Sequence, residues 1–244
     1  MREEGLRPAF LRGLEAVLYV PSCAVCDQAV RPPLLSPSVC RDCLSVLPFR
    51  VGREILDWEG SFPVYASFFY RDPLPRIISS MKFAGRPDQS RIFGPLMAGT
   101  VLRHKLMADA VIPVPLYRKR EALRGYNQAG LIASSLAENL GLPQLPSLLV
   151  RQRDTERQSE APTVRERKLQ LKGAFSLGEE REAQKALSGR PVLLVDDVLT
   201  SGATMMEAAR PLLEAGIRVT GLVAASGKNR YAGYKDALTA WHDA

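Results

Sequence analysis

The run VLLVDDVLTSGAT, Val192 to Thr204, divides into three chemically distinct parts. Val192 to Val195 are apolar and mostly branched, which suits a strand buried on both faces of a parallel sheet. Asp196 and Asp197 follow, carboxylates placed where a strand ends. Thr200, Ser201, Gly202, Ala203 and Thr204 are small and largely hydroxylic, and the next residues, MMEAARPLLEAG, read as a helix over 203–215. A loop of small residues opening a helix offers unpaired backbone N–H groups at an end carrying about half a positive charge, so a phosphate fits there. Acids beside it can hold the hydroxyls of a sugar or its metal. A diol binder next to a phosphate binder describes ribose 5-phosphate. The plainer alternative is a buried strand ending in a solvated Asp-Asp turn, with Thr200 or Ser201 capping an ordinary helix. Strand, acids, loop and helix in one order favour the ligand site over that alternative.

Working outward, VYASFFY (64–70), ADAVIPVP (108–115), Leu148 to Val150 and RVTGLVAAS (218–226) read as further strands. Between them PLPRIISSMKFAG (73–85), SRIFGPLMAGTVLRHKLM (90–107) and EALRGYNQAGLIASSLAENLG (121–141) read as helices. Strands alternating with helices indicate an α/β fold, a parallel sheet flanked by helices. Pro211 is a misfit inside its helix. Neither a GxGxxG fingerprint nor a GxxxxGK[ST] loop is present, which excludes the usual dinucleotide and ATP sites.

The chain has 244 residues, 46% apolar and 24% charged, with a formal net charge of +7. That length accommodates one large domain and a small appendage. The basic balance favours polyanionic partners. No apolar run approaches the roughly 18 residues of a membrane span, so no membrane insertion is expected. The N-terminal AFLRGLEAVLYV suits an amphipathic helix better than an export signal, which points to a cytoplasmic protein.

All four cysteines fall in one proline-rich stretch, as Cys23-x-x-Cys26 and Cys40-x-x-Cys43 with thirteen residues between the pairs. Two such pairs can close a tetrahedral zinc site, and a segment this short gains from metal the folding energy its core lacks. Four thiolates leave no open coordination position, so the expected zinc is structural. Disulfides and a redox CxxC are the competing accounts. The expected organisation is an N-terminal helix and zinc ribbon over 1–50, a linker over 51–62, the α/β domain over 63–227 and a tail over 228–244.

After the strand near Val111 come Arg118, Lys119, Arg120 and Arg124, cations at a strand's C-terminal end, where open α/β sheets bind ligands. Lys82 either reaches the same site or snorkels from an amphipathic helix. Residues 151–172 hold seven basic residues against four acids and few apolar ones, a long polar loop. Asp196 and Asp197 do not read as a proton-sharing dyad, because neighbours in a strand point to opposite faces. They are assigned binding first and catalysis second.

The Val192–Thr204 run is similar to the PRPP-binding motif of type I phosphoribosyltransferases. The CxxC pairs, KFAG (82–85), IPVPLYRKREALRGYNQA (112–129), RQRDTERQ with the later RERKLQLKGAF, and VLLVDDVLTSGAT together resemble the ComF family of competence-associated proteins. The resemblance covers most of the chain, from the cysteines to Ser226. It implies a type I phosphoribosyltransferase-like domain behind a zinc ribbon, and a role in DNA uptake during natural transformation beside the uptake machinery. It also implies PRPP or nucleotide bound with Mg²⁺, and a hood loop in which Thr155, Gln158 and Arg167 match family positions. Gln170 departs from the asparagine usual in the family. Two functions remain open: a binding module for PRPP or nucleotides that also grips single-stranded DNA, and an active phosphoribosyltransferase with an unidentified base or amine acceptor. In the first, Tyr117 or Tyr126 would stack a base.

Overall fold

The computed structural model describes residues 22–30, 39–56, 62–83, 87–154 and 171–227. The expected N-terminal amphipathic helix and the tail after 227 lie outside them. Two compact units divide at Val46–Leu47.

In the second unit, five strands form one sheet: β1 (Arg53–Leu56), β2 (Phe62–Phe69), β3 (Ala110–Pro113), β6 (Pro191–Leu199) and β7 (Arg218–Ser226). Their order is β1-β2-β7-β6-β3, with β1 antiparallel to β2 and every other pair parallel. Val192 to Val195 are fully buried, as an apolar run on an inner parallel strand must be. Outside this sheet, β4 (Leu149–Arg151) and β5 (Phe175–Leu177) form a two-stranded antiparallel ribbon.

On one sheet face Ala110, Ile112, Val192, Leu194, Val219 and Val223 join Met205, Ala208, Ala209 and Leu212 in one core. The last four belong to α7 (Ala203–Glu214), and the strand residues alternate as a pleated face requires. On the other face lie α3 (Phe93–Arg103) and α5 (Gln128–Leu140), with Met97, Ile132 and Leu136 fully buried. The remaining helices are α1 (Arg41–Val46), α2 (Leu74–Phe83), α4 (Arg118–Arg124) and α6 (Arg181–Leu187), with a 3-10 turn at Pro87–Ile92.

Three readings of the sequence are corrected, and the placement of Pro211 inside a helix holds. The span 51–62, expected as a linker, carries β1. Strand β6 continues through both acids to Leu199, because β7 supplies ladder partners as far as Ser226. The helix expected over 121–141 is two helices: Gly125 turns left-handed at φ 86° and Asn127 is extended, so α4 ends and α5 starts afresh. Pro211 sits within α7 without ending it.

Candidate phosphate and carboxylate site

Asp196 pairs with Val223 in the parallel ladder, and Asp197 is its neighbour on the same strand. Their carboxylates meet different partners. Asp197 Oδ2 lies 2.5 Å from Lys82 Nζ, with only 14% and 18% of the two side chains exposed. Asp196 Oδ1 accepts the N–H of Asp197 at 2.8 Å. Burial and then the charge of Asp197 push the Asp196 carboxyl up to about 7; the Asp197 N–H, Lys82 and Arg151 offset this only in part. The pair therefore carries one firmly paired carboxylate and one poised near neutrality.

The loop that follows is shaped by its glycine. Gly202 caps α7 at φ 85°, and a Cβ there would lie 2.8 Å from Leu56 Cδ2. Met206 N–H donates to Gly202 O at 2.9 Å, the first bond of the helix, so the N–H groups of residues 203–205 belong to the orphan first turn. Ala203 N–H has a side-chain acceptor nearby, Ser201 Oγ at 3.4 Å. Thr200 is exposed, Ser201 and Thr204 half-buried, Ala203 buried. Gly221 of β7 matters too. A Cβ there would lie 2.8 Å from Val64 Cγ2 and 3.3 Å from Met205 Sδ, so its bareness lets the first turn of α7 approach the sheet.

The basic residues expected on a loop form the helix α4. Arg118 and Lys119 are exposed. Arg120 Nε pairs with Asp154 Oδ1 at 2.8 Å, and Arg124 Nη1 donates to Gln128 Oε1 at 2.5 Å. Tyr126, one of the two tyrosines expected to stack a base, donates its hydroxyl to Met81 O at 2.5 Å. Asn127 Nδ2 donates to Val114 O at 3.0 Å. The turn between α4 and α5 thus ties the last turn of α2 to the end of β3.

Sequence reasoning missed two residues. Arg151, in β4, stacks over Phe175 at 5.4 Å and contributes positive charge near Asp196. Glu207 is buried at 1% exposure on α7 and receives Gly173 N–H at 3.2 Å and Arg210 Nη2 at 3.0 Å. A buried acid on a helix, with arginine three residues on, was the available signal. Thr155, Gln158 and Arg167 lie outside the described residues.

In the first unit, the sulfurs of Cys23, Cys26, Cys40 and Cys43 all lie within 4.8 Å of one another, with Cys26 and Cys40 at 3.9 Å. Zinc–sulfur bonds of about 2.3 Å give tetrahedral sulfur separations near ~3.8 Å, so the cluster fits a four-thiolate metal site. Backbone N–H groups of Val25 and Cys40 point at Cys23 Sγ at 3.4 and 3.3 Å, and Cys43 N–H at Cys40 Sγ at 3.4 Å. Burial alone would raise the Cys23 thiol; the backbone N–H groups of Cys40, Cys26 and Val25, with the Cys26 side chain, bring it down to about 7. Such donors favour thiolate, the form that binds metal. All four cysteines are free of disulfides.

The family model described as phosphoribosyl transferase domain matches residues 89–239. Competence protein F of Haemophilus influenzae is 35% identical over 153 residues, 61% of this chain and 65% of that protein, just under two thirds of its length. DNA utilization protein YhgH of Salmonella typhimurium is 30% identical over 210 residues, 80% of this chain and 85% of that one. Competence protein ComFC of Bacillus subtilis is 31% identical over 195 residues, 79% and 72% respectively. Solved structures match more loosely: the orotate phosphoribosyltransferase of Mycobacterium tuberculosis is 15% identical, covers 80% of this chain and 85% of its own, and has a TM-score of 0.36. The fold assignment accordingly stands on the family model and the sheet topology.

Proposed function

Because this chain belongs to the ComF family of phosphoribosyltransferase-domain proteins, we propose that it binds a phosphoribosyl ligand of the PRPP class with Mg²⁺ and acts in DNA uptake. The observation that carries the ligand reading is the joining of the Asp196–Asp197 pair, along one strand and loop, to the open first turn of α7. The orphan N–H groups and hydroxyls of residues 200–204 suit a terminal phosphate. The acids suit ribose hydroxyls and a hard divalent cation, which binds through one or two carboxylates together with phosphate oxygens. When bound, Mg²⁺ would neutralise charge on a pyrophosphate. Arg118, Lys119, Arg120 and Arg124 lie on the helix beginning five residues after β3 and supply cations for the same anion.

The role in uptake draws on the relatives, whose names are competence and DNA utilization proteins. Exposed Arg118 and Lys119 favour contact with a phosphate backbone, so single-stranded DNA is the expected nucleic acid, with cytoplasmic uptake proteins as further partners. Structural zinc at the four cysteines completes this reading.

A second reading, transfer of the phosphoribosyl group to a base or amine, is favoured by one observation: Asp196, held near 7, can take a proton from an acceptor or return it. Calorimetry with PRPP and Mg²⁺ tests the binding reading; no heat above that of Mg²⁺ alone overturns it. Pyrophosphate release with a panel of bases tests the second. Rapid release with one base establishes transfer, and background hydrolysis alone leaves the binding module.

A further inference from the structure

Lys82 and Asp197 belong to no common motif, yet they form a close, largely buried ion pair in the described structure. Resting on the ligand reading above, we propose that Lys82 is an exchangeable counter-ion. Its ammonium holds Asp197 while the site is empty and yields that carboxylate to a divalent cation when ligand arrives, and Tyr126 sets the position from which it does so.

A half-buried carboxylate without a partner is costly, so an empty site needs some cation beside Asp197. At 2.5 Å the ammonium occupies Asp197 Oδ2, so a divalent cation held by this carboxylate would have to compete with it. Lysine suits exchange. It is a compact charge on a flexible stem, whereas arginine would bind a carboxylate through a rigid fork. Once displaced, the stem lets the charge turn toward an incoming phosphate oxygen without leaving the neighbourhood.

The anchoring of Lys82 is specific. It lies in the last turn of α2, and the carbonyl of the preceding residue, Met81, accepts the Tyr126 hydroxyl. The next residue, Asn127, is bonded to Val114 O just past β3. Arg124 to Gln128 therefore fix where Lys82 starts, which gives the RGYNQ run a task other than direct ligand contact. Tyr126 is a positioning residue in this scheme, acting through Lys82.

The test uses the full, zinc-loaded chain with Mn²⁺ alone as probe, followed by calorimetry and thermal denaturation. Wild type is expected to bind Mn²⁺ weakly, with a melting temperature indifferent to it. With no chelator added, so that the cysteine site keeps its zinc, Lys82→Met should melt lower without Mn²⁺, recover with Mn²⁺, and bind Mn²⁺ at least tenfold more tightly than wild type. Lys82→Gln serves where Lys82→Met lowers stability too far. Adding Asp197→Asn to either variant should abolish the gain, separating this carboxylate from the cysteines. Tyr126→Phe should give a smaller gain in the same direction. Folded Lys82 variants with unchanged or weaker Mn²⁺ affinity would overturn the exchange. PRPP with Mg²⁺ on wild type reports the ligand reading separately: no PRPP binding beside a Mn²⁺ gain sinks that reading alone, and PRPP binding without the gain sinks the exchange alone.

Discussion

The buried carboxylate of Glu207 accepts the backbone N–H of Gly173 at 3.2 Å. One residue of α7, four positions into the helix that opens at the phosphate loop, thereby pins the segment just after the long polar loop. Its second oxygen takes Arg210, so both oxygens are engaged. Glu207→Ala strands the backbone donor of Gly173 and removes one partner of Arg210, and should cost about 2–3 kcal/mol. Glu207→Gln keeps an acceptor for Gly173 and should cost less. Urea denaturation of both variants, compared through their midpoints at constant slope, measures the difference.

Metal should account for the first unit. Freshly reduced protein is expected to hold one zinc per chain, and Cys40→Ser should lose it, because the hydroxyl replaces one of the four clustered thiolates. Elemental analysis of the two proteins decides this. Circular dichroism after chelation should change in the wild type only.

Asp196 gives a pH dependence with a definite sign. Its carboxyl ionises near 3.8 when unfolded and near 7 when folded, so between these values the folded chain holds the extra proton. The stability of keeping it neutral is whole below about pH 4 and is lost as pH rises toward 7. Asp196→Asn stays neutral throughout, so its stability relative to wild type should increase from pH 5 to pH 8. If the ionised form binds ligand, wild-type affinity for PRPP and Mg²⁺ should rise over the same interval. Denaturation and calorimetry at both pH values check the two slopes.

At the phosphate loop, Thr204→Val removes a hydroxyl from the first turn of α7 while preserving shape. A charge-assisted hydrogen bond of roughly 1.5–3 kcal/mol predicts a loss near tenfold or more in PRPP affinity. Asp197→Ala should weaken binding with the fold retained. Unchanged calorimetric affinity in both variants would refute the assignment of this loop.

The strand, acids, loop and helix of Val192–Thr204 were legible because each is local: burial pattern, charge and small residues follow one another along the chain. The cysteine cluster was legible for the same reason. The end of β6 was not, because pairing with β7 rather than local preference extends it through Asp196 and Asp197. Helical periodicity continues on both sides of Gly125, so the break between α4 and α5 shows only in a left-handed φ. The Lys82–Asp197 pair joins residues distant in sequence, so the chain left Lys82 with two readings, reaching the site or snorkelling, and its pairing with Asp197 shows only in the fold. Tyr126 illustrates a different limit. An aromatic residue among cations reads as a stacking surface, and that its hydroxyl bonds Met81 O shows only in the fold.

Gly202 and Gly221 carry a consequence for how this site can vary. A side chain at Gly202 meets an unfavourable φ and Leu56 together, and one at Gly221 meets Val64 and Met205. Enlarging either would lift the first turn of α7 away from the sheet, and with it the distance between phosphate donors and carboxylates. On the proposed function, that spacing would act as a fixed ruler for the length of ligand. Descendants of this chain can retune affinity through Thr200, Ser201 and Thr204, whose side chains are at least partly open to solvent. A longer or shorter sugar phosphate would require rebuilding the seat of the helix itself.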